Sequence, residues 1–365
     1  MDGDSLIGFV ERVSGDAHLR VEEDLGGGFV RLRTSEAERR QAVQDIRSSE
    51  DIVIELMRNA RDARASQIFV ASFREGSTRS FTVVDDGDGI PPSMHRRVFD
   101  SRVTSKLDSS RLDKWGIHGR GMALFSISEN AEQAFVKDSL PGLGTSVKVV
   151  TDLGKIGERK DQSTFPRFVK GEGNEVSVRG PRNIVRCCFE FAIEARASCR
   201  VKVGSPTEVA AALYEYGCAS LSDIDRMFCS DTARLPLAKR LATAQDPADF
   251  VSLASGLGLD ISQRSARRIL DGEIDSAPDL LDAIVIESEG QPAKPKRETC
   301  RSSSVHGPSL SLDQVDIDSL KQSTRRAFAG FADKYYLSGD IEPSVRIERG
   351  RVVVSIPLVG RDDVR

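Results

Sequence analysis

The segment 80–91 constrains this chain more than any other. Residues 80–85 read as a β-strand that runs without a break into Asp85-Asp86-Gly87-Asp88-Gly89-Ile90-Pro91. Two glycines and a proline end the strand there, so the chain must turn tightly at a carboxylate. Such a turn leaves the backbone bare enough for a flat ligand to approach, and the carboxylate can accept a hydrogen bond from an exocyclic amine such as that of adenine. A hairpin turn and a calcium loop share the pattern. EF-hand spacing fails, because the twelfth position counted from Asp85 is Arg96 rather than glutamate.

Upstream, residues 67–73 read as a partner strand. Before them lies Glu55-Leu56-Met57-Arg58-Asn59-Ala60-Arg61-Asp62-Ala63, opened by Ser48-Ser49-Glu50-Asp51, a capping-box start for a helix. On that helix Ile52, Val53, Leu56, Met57 and Ala60 form an apolar stripe, with Glu55 and Asn59 one turn apart near its edge. A carboxylate placed there can take a proton from water while the carboxamide ligates a hard cation. A solvated helix face shows the same pair. Downstream, Gly116-Ile117-His118-Gly119-Arg120-Gly121 feeds a helical run at 122–130. Bare backbone leading into a helix N-terminus attracts anions, through free N–H groups and the positive end of the helix dipole. No Gly-Lys-Ser/Thr follows, so this is not a Walker A loop. The polar stretch 102–114 reads as a flexible lid in which Thr104-Ser105-Lys106 can contact phosphate, and 144–149 starts a strand whose Thr145 can hydrogen-bond near a base.

The rest of the chain excludes more than it assigns. With 365 residues the length suits two or three domains. A 39% hydrophobic and 30% charged composition rules out wholesale disorder, and no apolar run approaches the roughly 18 residues of a membrane span. An acidic N-terminus without a following apolar core predicts no secretory signal, and hence a cytoplasmic protein without membrane contact. The six cysteines form no C-x-x-C pair and read as buried free thiols, and no two of the four histidines have helical zinc spacing.

The expected class is α+β. An N-terminal arm and first strand occupy 1–45, followed by a layer of helices on a sheet over 46–204. Apolar residues at helical spacing over 205–286 predict a separate all-helical domain. A basic, proline- and serine-rich linker covers 287–311, and 312–365 form a small α/β tail of one helix and a hairpin. The linker cations Lys294, Lys296, Arg297 and Arg301 suit nonspecific phosphate contact or plain solvation.

In this order, the four motifs resemble the N, G1, G2 and G3 boxes of the GHKL superfamily, which includes DNA gyrase, heat-shock chaperones, histidine kinases and MutL-type proteins. The resemblance covers about 46–150 and implies the Bergerat ATP-binding sandwich, with ATP and Mg²⁺ as cofactors. It makes Glu55 the general base and Asn59 the protein ligand of Mg²⁺, and gives the adenine amine to Asp85. Gly87, Gly89 and Ile90 would shape the nucleotide pocket, and Gly116, Gly119 and Gly121 would wrap the phosphates. Thr104, Lys106, His118, Arg120, Met122 and Thr145 are the further nucleotide contacts. E-L-x-x-N-A-x-D-A, with V-T-S-K-L and G-x-x-G-x-G-x-A-L, looks closest to MutL-type mismatch-repair proteins, then to the type IIB topoisomerase B subunit. The resemblance implies a slow ATPase that closes its lid and forms a homodimer on ATP, with a DNA or protein partner in repair or topology. The lysine that these families bring to the γ-phosphate from a transducer domain is not identifiable here. The alternative is an ATP-regulated switch with little hydrolysis, although retention of both Glu55 and Asn59 favours turnover. A histidine-kinase-like phosphotransferase fits less well, because His18 lacks H-E/D-x-x-T-P surroundings and such kinases generally carry Asn where Glu55 stands.

Overall fold

The computed structural model describes residues 21–105, 111–118, 121–170, 176–222, 224, 226, 231–284, 286–287, 314–334, 343–348 and 351–356. The chain divides into two compact units, 1–291 and 292–365. The first opens with β1 (Val21–Gly26), β2 (Phe29–Leu32), α1 (Glu36–Asp45), α2 (Ser49–Asp62), β3 (Gln67–Glu75) and β4 (Thr78–Asp85). Then come β5 (Val103–Thr104), β6 (Arg111–Asp113), β7 (Gly116–His118), α3 (Ala123–Asn130), β8 (Gln133–Ser139) and β9 (Thr145–Asp152). The unit continues through β10 (Arg167–Lys170), β11 (Val176–Arg179), α4 (Ile184–Glu194), β12 (Arg200–Gly204), α5 (Pro206–Ser220), α6 (Pro247–Gly256), α7 (Gln263–Leu270) and β13 (Ile286–Glu287).

A five-stranded sheet of order β12-β3-β4-β9-β8 forms its centre. β12 joins parallel to β3, and the other pairs are antiparallel. Side chains alternate across a strand, and β3 shows what covers each face. Ile68 and Val70 pack with Ile52, Leu56 and Met57 of α2 and with Phe189 and Phe191 of α4 in one core. Phe69 and Ala71 point the other way, into a second core with Leu213, Leu237, Phe250 and Ile269. That second core corrects the predicted division at 205–286. The helices α5 to α7 are not a body apart but the outer layer of the same sheet, and 1–291 is one compact unit. The physical reason is that β3 and β4 are apolar on both faces and would otherwise expose Phe69, Ala71 and Val84.

The predicted N-terminal arm is corrected in the same sense. β2 pairs with β5, the Leu32 N–H donates to the Arg102 carbonyl at 3.0 Å, and the side chain of Asn130 at the end of α3 donates to the Val43 carbonyl at 2.9 Å. Residues from 21 onward therefore belong to the same unit as α2 and α3. α2 starts where its capping sequence predicts, with the Asp51 carboxylate accepting from the Ser48 N–H at 2.9 Å. Cys187, Cys188 and Cys199 are buried and unbridged, and burial pushes the Cys187 thiol up to about 12. Cys229 and Cys300, and the linker 288–311, lie outside the described residues.

The second unit contains α8 (Gln314–Lys334) and the antiparallel hairpin β14 (Ser344–Glu348) and β15 (Arg351–Ser355), the helix and hairpin that the sequence predicts. No helix among the described residues is long and apolar enough to cross a membrane.

Candidate nucleotide site

A cavity of about 310 Å³ opens on the α2 face of the sheet. Glu55 and Asn59 of α2, Asp85 at the end of β4, Gly89 and Ile90 in the following turn, Thr104 on β5, Gly121 and Met122 before α3, and Thr145 on β9 all line it. Residues far apart in sequence thus converge on one pocket. Strand register explains two of them: Asp85 faces Thr145 across the β4–β9 pair, so the carboxylate and the threonine sit side by side at the same end of the sheet. Both are buried. Ser139 ties this end together, its hydroxyl accepting from the Ile90 N–H at 2.7 Å, donating to the Gly144 carbonyl at 2.8 Å and lying 3.2 Å from the Thr145 hydroxyl.

The glycines of the turn do something different from what the sequence suggests. Gly89 has φ +74°, and a Cβ there would stand 1.9 Å from the Leu140 carbonyl oxygen. Gly87 is crowded by the Ala63 carbonyl in the same way, 2.5 Å from the position of a Cβ, and its N–H donates to Asp85 Oδ1 at 2.9 Å. The bare backbone is therefore used for packing against the protein's own loops, which fixes Asp85. Gly121 (φ +68°) packs on the backbone of Arg102 and Val103, joining the glycine-rich segment to β5.

Gly116 and His118 fall on β7, and nothing is assigned to their side chains. Lys106, Gly119 and Arg120 lie outside the described residues.

The sequence does not point to several neighbours of the cavity. Glu38, Gln41 and Asp45 of α1 form one wall. Arg102, buried and with φ +58°, also lines the pocket and donates to Glu38. The Glu38 carboxyl is held below the usual range, first by hydrogen bonding from the Ser35 backbone and also by Arg102. Arg58 of α2 donates through Nη1 to Glu55 Oε1, while its Nε donates to Asp113 Oδ2 on β6 at 2.9 Å and its Nη2 to Asp113 Oδ1. Arg61 Nη2 also reaches Asp113 Oδ2, at 3.2 Å. Burial opposes charge on Asp113, but the hydrogen bonds from Arg58, the Trp115 N–H and Arg61 hold its carboxyl below the ordinary value.

The donors present suit a hard cation. Asn59 lines the cavity, and its carboxamide oxygen is the atom that would ligate such a cation; its Nδ2, buried with no hydrogen-bond partner in the protein, is a donor and could not. Among the described residues no group of three or more His, Cys, Asp or Glu is placed to hold a metal. Mg²⁺ rarely needs one, since it takes a small number of protein oxygens and completes its shell with water and phosphate.

A family model described as "Histidine kinase-, DNA gyrase B-, and HSP90-like ATPase" matches residues 44–155, the stretch that builds most of this cavity. The chain is 37% identical over 99 residues to the DNA mismatch repair protein MutL of Lactiplantibacillus plantarum, covering 26% of this chain and 14% of that protein. It is 35% identical over 108 residues to the MutL of Staphylococcus carnosus, covering 29% of this chain and 17% of that protein. The match thus spans under a fifth of those relatives' length. A crystal structure of the N-terminal domain of a DNA repair protein aligns at a TM-score of 0.30 and 19% identity, over 46% of this chain and 51% of that one. Residues 44–155, under a third of the chain, are thus similar to the histidine kinase-, DNA gyrase B- and HSP90-like ATPase family.

Proposed function

We propose that the protein binds and hydrolyses ATP with Mg²⁺, and that its nucleotide state drives closure of the lid segment 102–114 and formation of a homodimer. The observation that carries this reading is the convergence of Glu55, Asn59, Asp85, Gly121 and Thr145 on one cavity. Asp85 accepts the hydrogen bond of the adenine amine, and the turn at Gly87 to Ile90 holds it in place. A GTP base offers a carbonyl oxygen where adenine offers the amine, so the same carboxylate selects against it. The resemblance gives the polyphosphate to Gly116, Gly119 and Gly121, makes Thr104, Lys106, His118, Arg120 and Met122 further nucleotide contacts, and puts Thr145 near the base.

Glu55 is the general base: its carboxylate orients the water for attack on the γ-phosphate and takes its proton. Asn59 would hold Mg²⁺ through its carboxamide oxygen, and the ion would supply charge neutralisation at the phosphates. The MutL proteins are named for DNA mismatch repair, and we place the chain in DNA repair with a DNA or protein partner on that likeness alone. The direct test is turnover by wild type and Glu55→Gln with Mg²⁺, with and without DNA, while oligomeric state is followed. A general base contributes about 10²- to 10⁴-fold, so Glu55→Gln should bind ATP and turn it over at least about 100-fold more slowly. Equal turnover in the variant sinks the assignment.

A further inference from the structure

Glu55 does not stand alone on its helix. Arg58, one turn on and only 4% exposed at its side chain, donates through Nη1 to Glu55 Oε1. Its other two donors, Nε and Nη2, both go to Asp113 on the β6–β7 hairpin. The planar guanidinium fork thus carries one carboxylate on each side, and its centre lies 5.7 Å from the ring centroid of Trp115. Seating the hairpin does not require this arrangement. Asp113 already accepts from Arg61 at 3.2 Å and from the Trp115 N–H at 3.0 Å, and Lys114 pairs with Glu190 of α4 at 2.8 Å. What Arg58 adds to those contacts is the connection to Glu55.

We propose that Arg58 is the positioning residue for the Glu55 carboxylate, and that Asp113 holds Arg58 from the hairpin and shares its charge, so that Glu55 is oriented without being neutralised. The inference rests on Glu55 being the base. Two opposing demands explain the pair of carboxylates. A base must keep one direction relative to the attacked phosphorus, because small displacements of a reacting group cost large factors in rate. A cation that fixes the carboxylate also lowers its basicity. Bidentate engagement by Asp113 draws two of the guanidinium's nitrogens away and gives Glu55 a bond from the third, Nη1, enough to orient it. Asp113 therefore supplies part of the hydrolytic machinery through Arg58, without itself touching nucleotide.

The test compares wild type, Arg58→Gln, Arg58→Lys, Asp113→Asn and Glu55→Gln in the full chain. It measures kcat at saturating ATP and Mg²⁺, and the Kd of a nonhydrolysable ATP analogue by calorimetry. Arg58→Gln should lower kcat about 10- to 100-fold, the scale of a misplaced catalytic group, while analogue Kd stays within about threefold. Arg58→Lys should recover part of the loss, because an ammonium can still pair with Glu55 but cannot fork to Asp113. Asp113→Asn should lower kcat with binding retained, since Glu55 is then the carboxylate facing the Arg58 charge. Wild-type kcat in Arg58→Gln, a matching loss of analogue binding, or no gain from lysine overturns the proposal. If Arg58→Gln does not fold, Asp113→Asn decides, and an unchanged kcat there overturns it. Turnover by Glu55→Gln would instead refute the base itself, whereas an inactive Glu55→Gln beside an active Arg58→Gln refutes only the positioning.

Discussion

Asp85→Asn separates the recognition of adenine from the architecture of its pocket. Oδ1 of Asp85 accepts from the Gly87 N–H at 2.9 Å, and an asparagine oxygen can accept the same bond, so the turn survives. The substitution removes a charged acceptor for the base amine and sets a carboxamide in its place inside a buried site, where Asp85 is 5% exposed. A hydrogen bond to a charged group contributes about 1.5–3 kcal/mol, which corresponds to roughly 10- to 150-fold in Kd. A carboxamide can also turn its amine outward and donate to the carbonyl oxygen of guanine. The variant should therefore bind a nonhydrolysable ATP analogue more weakly by that factor and narrow the preference for adenine over guanine, both read by calorimetry with thermal melts as the control for folding. Unchanged affinity for the ATP analogue, or an equal loss for both nucleotides, would refute the role of Asp85.

Other consequences are equally direct. Phe69→Ala empties a site in the outer core that is closed to solvent and packed against Tyr216 at a ring distance of 5.8 Å; it should cost about 3–5 kcal/mol in denaturant unfolding, and a loss below about 1 kcal/mol would mean that α5 to α7 contribute little to the sheet. Gly89→Ala forces a Cβ to within 1.9 Å of the Leu140 carbonyl at a positive φ, so nucleotide binding should collapse together with the melting temperature, and a binding-competent, wild-type-stable variant would contradict the packing described. Asp113 is depressed below its ordinary value of 3.8 in the folded chain, so its contribution to stability is complete above that value and is lost as the pH falls through the depressed folded one. Melting temperature followed down the acid limb should accordingly fall less steeply in Asp113→Asn than in wild type, and parallel limbs would show that Asp113 is not held ionised by Arg58 and Arg61.

The sequence made the cavity legible because its elements carry chemistry at fixed local spacing. Asp85 with its glycines, the Glu55 and Asn59 pair, and the glycine-rich run before α3 each depend on neighbours in sequence, and each reaches the pocket wall. What escaped depends on partners far away. Arg58 looks like a solvent-facing helix residue until Asp113, on another element, closes over it. The wall supplied by α1 is invisible for the same reason, since Glu38 and Asp45 lie on a polar helix with little apolar pattern of its own and a single buried residue, Ala42. The outer layer was assigned to another domain although its cue was present. Ile68-Phe69-Val70-Ala71 and Val83-Val84 are continuous apolar runs rather than alternating ones, which is the mark of a strand covered on both faces.

The way the chain returns from that outer layer sets a limit on dissecting the protein. It leaves the five-stranded sheet after β12, whose partner is β3, builds α5 to α7, and ends at β13, which pairs with β10 in a separate three-stranded sheet with β11. On the way, the Leu237 N–H donates to the Leu143 carbonyl at 2.9 Å, in the loop whose next residue, Gly144, packs against the backbone of Asp85. The excursion is stitched to the rest of the unit at both ends and again beside Asp85 at the cavity. A fragment stopping at 204 would leave the hydrophobic reverse of its own sheet bare and the loop behind Asp85 unsupported. A piece expected to stay soluble and hold nucleotide must therefore extend at least to residue 287, well past the end of the stretch that the family model matches.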